Sequence, residues 1–472
     1  MTSLILTGNE RPLLANYIYS DKIKNLLLLY KVYGDHKFML LDEKAQKIFS
    51  LCNGKHTIDE ICLHPVLSDY PVDNIKETIS RLVRYEILVI PNHRADSALK
   101  KQYSNGKSAF GIWLHATNRC NLQCSYCYIH KNKEDMPLSV AKTAILNLVS
   151  QCEKNGITDL SIKFAGGEPL MVWKNLMQIV DFTRECCSRA TVAINPHFNI
   201  VSNGTLVNES KAIYLYRNQI PISISLDGVG AVNDSQRFYA NRKGSFSSIE
   251  RGIQILKAAD WKPFILITVT EKNIGGLREL TKYLLSHELS FRYSFLRDCT
   301  HLSSEYLYSA SEQYVEILNK CFDDIEEWML TKRWNFNVRL CDIRLGRTVV
   351  RTCGIGRNSA AISHKGEIAL CQMIFDQPIG DITHNGIIEA VHQQNTMVDL
   401  RRKNVDSYLE CRQCIWKKIC AGGCSIFTYQ QYGRLDRPSP YCWAFKQLIP
   451  RIVRLHGIKL LRKYEQLKTQ RR

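Results

Sequence analysis

Asn118-Arg-Cys-Asn-Leu-Gln-Cys-Ser-Tyr-Cys-Tyr128 carries three cysteines, Cys120, Cys124 and Cys127, on one short segment. Three thiolates at this spacing can hold three irons of a cubane cluster and leave the fourth iron open to a chelating ligand. The same residues also fit a zinc site closed by a distant residue, or a disulfide with a spare thiol. The rest of the chain favours the cluster.

Length and composition suggest a folded protein of two or three domains, since the chain has 472 residues and is 45% hydrophobic. No stretch approaches the length of a membrane span. The first ten residues lack the basic segment and apolar core of a signal peptide, so we expect a cytoplasmic protein without a membrane partner. Eighteen cysteines in such a chain favour metal binding or redox chemistry over a disulfide framework.

The formal net charge of +18 indicates an acidic partner, which could be nucleic acid, an acidic peptide or an acidic electron-transfer protein. Bound clusters would offset part of this charge. Another part lies in residues 449–472, where apolar residues recur at helical spacing between basic ones. This pattern predicts a basic surface helix.

Residues 1–97 form a separate unit in our prediction. Apolar segments at 26–32 and 37–41 flank Tyr33-Gly-Asp-His36, which has the chemistry of a hairpin turn. Three helices and a short strand follow, and the second helix opens with the capping box Thr57-Ile-Asp-Glu60. A hairpin followed by three helices and a strand is a winged-helix-like pattern.

Beyond a polar linker at 98–110, strand-like and helix-like segments alternate six times over residues 111–340, which predicts an α/β fold with a partial (β/α)6 barrel. The predicted strands are 112–116, 160–165, 198–201, 222–226, 264–269 and 291–296. Chemistry collects at the carboxyl ends of barrel strands. The cysteine segment follows the first strand, and Gly166-Gly-Glu-Pro169 follows the second.

The cysteine triad together with Gly166-Gly-Glu-Pro169 resembles the radical S-adenosylmethionine (SAM) enzymes. In that family the open iron binds the methionine moiety of SAM, and reductive cleavage gives a 5'-deoxyadenosyl radical that abstracts hydrogen from substrate. The resemblance implies that Cys120, Cys124 and Cys127 are the catalytic iron ligands. It also implies these SAM-binding residues: Tyr126 and Tyr128 beside the adenine; Gly166, Gly167 and Glu168, followed by Pro169, at the ammonium; and Ser202, Asn203, Ser225, Asp227 and Arg237 near the ribose or carboxylate.

A second set of cysteines lies nearer the carboxyl terminus, within residues 341–448. Its spacing resembles the SPASM domain, which holds two auxiliary 4Fe-4S clusters in peptide-modifying radical SAM enzymes. By this resemblance an outer cluster binds Cys411, Cys414, Cys420 and Cys442, and an inner cluster binds Cys353, Cys371 and Cys424. Cys341 is a candidate eighth ligand; without it the inner cluster keeps an open site for a substrate thiolate. The cofactors implied are three 4Fe-4S clusters and SAM, and a pair of zinc ribbons is the alternative.

The N-terminal pattern resembles the leader-peptide recognition domain of ribosomal peptide pathways (the PqqD-like domain), which binds a leader peptide as an added strand at its sheet edge. These resemblances together predict a radical SAM/SPASM peptide maturase, with a thioether or carbon–carbon crosslink as the expected modification. Oxidation, epimerisation and backbone excision begin with the same hydrogen abstraction and stay open from sequence. Its predicted partners are a precursor peptide and an acidic electron donor such as flavodoxin or ferredoxin, and nucleic acid is not favoured.

Two alternatives stay open from sequence. An anaerobic sulfatase maturase is the first, although such enzymes place a catalytic aspartate beside the cysteine that matches Cys371, where this chain has Gln372. A non-enzymatic, zinc-dependent nucleic-acid-binding protein with a winged-helix head is the second, and only the charge favours it.

Overall fold

A computed structural model describes residues 6–91, 108–297, 312–332, 336–393 and 404–470. The predicted linker at 98–110 lies outside these ranges except for its last three residues, of which Ala109 and Phe110 already belong to a strand. Within the described ranges, no helix combines the length and the apolar character that crossing a membrane requires.

The N-terminal part consists of a three-stranded antiparallel sheet, a two-stranded pair and three helices. These elements are β1 Leu13–Leu14, β2 Ile18–Ile23, β3 Leu26–Lys31, β4 Phe38–Leu41, α1 Glu43–Leu51, α2 Ile58–Cys62, α3 Val72–Arg84 and β5 Leu88–Val89. The predicted β3–β4 hairpin is present, and so is the capping box between Thr57 and Glu60. Strand β2, which the sequence analysis missed, completes the sheet.

Six parallel strands form the core of the next part of the chain, and they agree with the six predicted ones. They are β6 Ala109–Thr117, β7 Asp159–Gly166, β8 Asn195–Ser202, β9 Ile222–Ser225, β10 Phe264–Val269 and β11 Ser290–Phe295. The helices are α4 Leu138–Lys154, α5 Trp173–Arg189, α6 Glu209–Arg217, α7 Ala231–Asp234, α8 Phe246–Ala258, α9 Leu277–Ser286 and α10 Glu312–Thr331. Side chains that point outward from the strands, such as Ile162 and Phe164, are fully buried; the alternate side chains line the lumen.

The sheet is open, so the barrel is partial. Its ten strands run in the order β12-β11-β10-β9-β8-β7-β6-β13-β14-β15, and β6 does not pair with β11. The elements of the C-terminal part are β12 Val338–Leu340, β13 Ser359–Ile362, β14 Glu367–Ala369, β15 Gly380–Asp381, α11 Ile387–Gln393, α12 Lys417–Cys420, α13 Ser425–Tyr432 and α14 Cys442–Gln470. The cysteine-rich part therefore shares one sheet with the barrel.

The C-terminal helix differs from the predicted surface helix at 449–472. Helix α14 begins at Cys442 and packs its apolar face on the N-terminal sheet, so closely that a Cβ added at Gly457 would lie 2.6 Å from Ile23. Arg454 pairs with Glu326 at 2.6 Å and with Asp21 at 3.1 Å. The helix thus joins the N-terminal sheet to α10, and part of its positive charge is used in these pairs.

The turn between β3 and β4 docks on the C-terminal part through a buried histidine. The His36 ring lies 2.7 Å from the Tyr30 hydroxyl through Nδ1 and 3.0 Å from the Thr348 hydroxyl through Nε2. Thr348 donates to the carbonyl of Gly34 at 3.1 Å, so the network fits a neutral ring with its hydrogen on Nε2. Burial lowers the pKa of His36 to about 4.

This histidine predicts an acid-sensitive fold. Because the folded-state pKa of His36 lies below the unfolded value of about 6.5, its stabilisation is present above pH 6.5 and is lost as the pH falls towards 4. We expect about 2 kcal/mol to be lost at pH 5 relative to pH 7. Asparagine tolerates the positive φ of 50° at this position. His36→Asn should therefore remove this contribution to the change of unfolding free energy with pH. Denaturant titrations at both pH values measure it, and equal slopes in the two proteins would contradict the assignment.

Candidate functional site

The cysteine segment follows β6 and is fixed by backbone pairing with residues 236–239. Gln123 donates to the carbonyl of Phe238 at 2.6 Å, and Ser125 donates to that of Gln236 at 2.9 Å. Lys131 turns back to donate to the carbonyl of Leu122 at 2.7 Å. The three cysteines therefore lie on an ordered loop at the carboxyl end of the parallel strands, as predicted.

The glycine pair after β7 packs directly on the start of this loop. A Cβ at Gly166 would lie 2.4 Å from the carbonyl oxygen of Thr117, and one at Gly167 would lie 2.1 Å from that of Arg119. The φ of Gly166 is 133°, in the region that side chains rarely adopt. Both glycines are thus required by the backbone of the cysteine loop.

Glu168 is fully buried, and its carboxylate joins the ends of β7 and β8. One oxygen accepts from the Ser202 hydroxyl at 2.8 Å and from the Leu170 amide at 3.0 Å; the other accepts from the Asn203 amide at 2.7 Å. Burial raises the pKa of Glu168, and these three hydrogen bonds oppose the rise. Glu168 therefore has a structural role that the sequence analysis did not predict.

Tyr126, Asp227 and Arg237 form a buried group beside the loop. Asp227 accepts from the Tyr126 hydroxyl, from the Thr268 amide at 2.7 Å and from Arg237 at 3.3 Å. Arg237 also donates to the Tyr126 hydroxyl, while its Nε is buried without a hydrogen-bond partner among the described residues. The positive charge of Arg237 acts on the Cys124 thiol and opposes the rise of its pKa on burial.

The other predicted SAM contacts lie around the same loop. Asn203 donates to Asn121 at 2.9 Å and approaches the sulfur of Cys120 at 3.8 Å. Pro169 is buried, Ser225 ends β9, and Tyr128 is half-buried one residue after Cys127. The structure thus gathers these residues at one end of the barrel.

The outer four cysteines of the second set line one pocket. Cys411, Cys414, Cys420 and Cys442 all line it, together with Trp416. Burial, followed by the charges of Cys442 and Cys414, raises the pKa of Cys411 to about 11. Four thiolates that are buried or half-buried repel one another, and a cationic iron centre removes this cost, so the residues fit a 4Fe-4S cluster.

The inner cysteines also lie together. Burial, then the charges of Cys424 and Cys353, raises the pKa of Cys371 to about 12. The charges of Cys424 and Cys341 both act on Arg297, whose guanidinium pairs with Asp342 at 2.7 Å. Cys341 is therefore on the same side as the inner group.

Within the described ranges, no three His, Cys, Asp or Glu side chains converge as the ligands of a single metal ion do. In a tetrahedral zinc site the sulfurs would lie about 3.8 Å apart, given a Zn–S bond of about 2.3 Å. Each thiolate of a 4Fe-4S cluster binds a different iron, so its sulfurs stand farther apart.

Several supporting contacts were not found from sequence. Arg119 donates to both oxygens of Asp135, at 2.8 and 2.6 Å. Asn273 donates to the carbonyls of Asp227 and Thr268, at 2.8 and 2.9 Å. These residues hold the loops in place, but they are polar residues in irregular segments and carry no periodic signal.

Comparison with protein families agrees with this geometry. Residues 114–283 match the radical SAM superfamily, and residues 353–415 match SPASM, an iron-sulfur cluster-binding domain. An uncharacterized protein of Methanocaldococcus jannaschii is 36% identical over 214 residues, which are 44% of this chain and 69% of that protein. The chain belongs to the radical SAM superfamily. Its two domains imply 4Fe-4S clusters and SAM as cofactors, and members of this superfamily are enzymes.

Two further relatives have named roles. The cysteine-type anaerobic sulfatase-maturating enzyme of Clostridium novyi is 27% identical and covers 70% of this chain and 91% of its own length. The antilisterial bacteriocin subtilosin biosynthesis protein AlbA of Bacillus subtilis is 23% identical and covers 89% of this chain and 92% of its own length.

Solved structures support the fold. Native anSMEcpe with bound AdoMet superposes with a TM-score of 0.61 at 20% identity and covers 73% of this chain and 98% of that chain. Streptococcus suis SuiB bound to precursor peptide SuiA gives a TM-score of 0.52 at 14% identity, with coverage of 90% and 98%. At these identities the likeness concerns the fold alone.

The glycine contacts predict that Gly167→Ala removes the cluster of the cysteine loop. The new methyl group must displace the backbone of Arg119, and Cys120 moves with it. We expect a loss of about four irons per chain, measured by iron and sulfide analysis after anaerobic reconstitution. Gly275→Ala is the matched control because a Cβ there meets nothing within 4 Å. Full iron content in both variants would contradict this role of Gly167.

Proposed function

We propose that this chain is a radical SAM peptide maturase that modifies a ribosomally made precursor peptide. The share of the chain that each similar protein covers supports the proposal. The likenesses to AlbA and SuiB cover about nine-tenths of the chain, so each includes part of residues 1–97. The likeness to the sulfatase-maturating enzyme covers 70%. This overlap with part of residues 1–97 supports a role of the N-terminal unit in binding a peptide.

In this proposal the N-terminal unit binds the leader peptide along strand β4. Its register pairs Leu29 with Met39, and Lys31 donates to the carbonyl of Lys37; by the alternation of antiparallel bonds, the backbones of Phe38 and Leu40 face away from β3. Among the described strands, β4 pairs on one side only. An extended peptide can add there as a further strand.

The opposite edge of the sheet, β2, is less suitable. The guanidinium of Arg454 donates to the carbonyl of Lys22 and pairs with Asp21. Helix α14 thus already uses backbone groups of that edge, which favours β4 for the leader.

The barrel end is the proposed reaction centre. Cys120, Cys124 and Cys127 would hold a cluster, which together with SAM would supply a 5'-deoxyadenosyl radical for hydrogen abstraction from the peptide. The buried pair of Asp227 and Arg237 fixes Tyr126 beside the adenine. The remaining SAM contacts in this proposal are Tyr128, Gly166, Gly167, Glu168, Pro169, Ser202, Asn203 and Ser225.

The auxiliary centres complete the redox balance. A thioether or carbon–carbon crosslink removes two hydrogens from the peptide; one leaves as a hydrogen atom, and the other leaves as a proton and an electron. We propose that the outer and inner cysteines, with Cys341 as the eighth ligand, would hold clusters that would supply an acceptor for this electron. Three clusters correspond to about twelve irons per chain. The basic surface suits an acidic donor such as flavodoxin or ferredoxin.

Cys124→Ala should abolish SAM cleavage because two thiolates cannot hold the cluster in position. We expect no 5'-deoxyadenosine on reduction, measured by chromatography, and a loss of about four irons per chain. Cys186→Ala is the control, since Cys186 lies on α5 away from the three cysteine groups. Continued cleavage by the reconstituted Cys124 variant would refute the assignment.

Leu40→Pro should weaken binding of the precursor by roughly tenfold, because proline removes an amide that faces away from β3. The substrate is first identified by co-expression with short reading frames beside the gene, from the loss of paired hydrogens in its intact mass. Its leader is then titrated by fluorescence anisotropy. Ser20→Pro makes the same change on the outer side of β2 and should bind normally. Equal weakening in both variants would count against β4.

Anaerobic sulfatase maturation is the second candidate because of the likeness to the C. novyi enzyme. The residue after Cys371 bears on it. Gln372 accepts a hydrogen bond from the Cys371 thiol at 3.5 Å, and an amide cannot serve as the general base that an aspartate provides. This position therefore counts against sulfatase maturation. The family match gives no support to the zinc-dependent nucleic-acid-binding alternative.

A further inference from the structure

The lumen of the barrel carries a row of polar side chains below the cysteine loop. The registers pair Trp113 of β6 with Lys163 of β7, and Lys163 with Asn199 of β8. Their neighbours in the strands, Ile162 and Phe164, point outward and are fully buried. By the alternation of a strand, the three residues of the row point into the lumen.

Lys163 has no carboxylate partner among the described residues. Its ammonium lies 5.8 Å from the centre of the Trp113 ring. Protein atoms crowd the ammonium, although the residue as a whole is exposed to solvent. Burial lowers the pKa of Lys163, and the charges of Arg292 and Arg344 lower it further.

Two arginines, Arg292 and Arg344, are close enough to repel the charge of this lysine. Arg292 is on β11, next to Leu266 in the register, and donates to the Ser294 hydroxyl at 3.1 Å. Arg344 follows β12, and its backbone amide bonds to the carbonyl of Ile419 at 3.1 Å. Three cations thus share one space, and each raises the free energy of the others.

The inner cysteines neutralise only part of the positive charge of these three residues. Arg292 feels the charge of Cys341 as well as that of Asp342. The charges that act on Lys163 are those of the two arginines. Among the described residues, no anionic group therefore neutralises Lys163.

Two buried polar atoms in the same row also lack hydrogen-bond partners among the described residues. They are Nε1 of Trp113 and Oδ1 of Asn199. An unpaired buried donor costs about 1–3 kcal/mol. A ligand with an acceptor oxygen in the lumen would satisfy the indole N–H and the cations together.

We propose that the lumen binds a carboxylate of the substrate peptide, an aspartate or glutamate side chain close to the modified residue, through Lys163, Arg292 and the Trp113 N–H. This inference rests on the proposed peptide substrate. SAM is a second source of a carboxylate, and its proposed contact Ser225 pairs with Leu266, as Arg292 does, so the test includes SAM alone. The anion site thus selects the peptide sequence.

The test is a lysine footprint of the reconstituted enzyme. Iron-loaded protein is briefly acetylated under anaerobic conditions, and each lysine is quantified by mass spectrometry. The probes are N-acetylaspartate N-methylamide and its asparagine counterpart, each with saturating SAM. Lys211 is the internal control: its ammonium lies 5.9 Å from the Trp173 ring, and burial lowers its pKa as well.

The aspartate probe should slow acetylation of Lys163 by roughly tenfold or more and leave Lys211 unchanged. Arg292→Gln should reduce this protection, and Arg292→Lys should restore part of it. Equal protection by the asparagine probe, or no protection by either, overturns the proposal. Full protection by SAM alone overturns the peptide as the source of the carboxylate.

Failure of the site and failure of the proposed function are distinguishable. Formation of 5'-deoxyadenosine on reduction reports the radical chemistry, whereas the footprint requires no reduction. Active enzyme without protection of Lys163 refutes the anion site alone. Protection without SAM cleavage retains the site and refutes the radical maturase.

Discussion

The close approach of two glycines to the backbone between Thr117 and Arg119 is the constraint on which the site depends. Hydrogen bonds from Gly167 to Thr117 and from Glu168 to Arg119, both at 2.7 Å, extend the pairing of β6 and β7 into the cysteine loop. The geometry of the first three thiolates is therefore set by the sheet. A motif associated with SAM is, in this chain, first a requirement of backbone packing.

Each group of cysteines has a cation close enough to act on it. Arg237 and Lys131 act on the first group, Lys446 on the outer one and Arg297 on the inner one. Burial makes bare thiolates unfavourable, and the cations reduce this cost before iron binds. Some of the formal charge of +18 thus lies beside the cysteine groups inside the protein. The formal charge therefore overstates the positive charge of the surface.

The strands of the barrel could be predicted because buried parallel strands are nearly continuous apolar runs. Strand β2 was missed because Ile18-Tyr-Ser-Asp-Lys-Ile23 has three consecutive polar residues and shows no period of two, and β12 to β15 are too short to show a period. The outer cysteines could be predicted to lie together because their spacing along the sequence matches that of a known set of cluster ligands. Contacts such as Glu168 with Asn203, or Asp227 with Thr268, join distant segments and leave no pattern in the sequence.

The docking of the N-terminal turn extends to the outer cysteine pocket. The Tyr33 hydroxyl donates to the carbonyl of Cys414 at 3.5 Å, and the Tyr19 ring lies 5.0 Å from that of Trp416, which lines the same pocket. The N-terminal unit thus contacts residues that line the outer cysteine pocket. A chimera that exchanges this unit between related enzymes must also exchange the loop around Cys414 and helix α14. These three segments are therefore expected to change together in evolution.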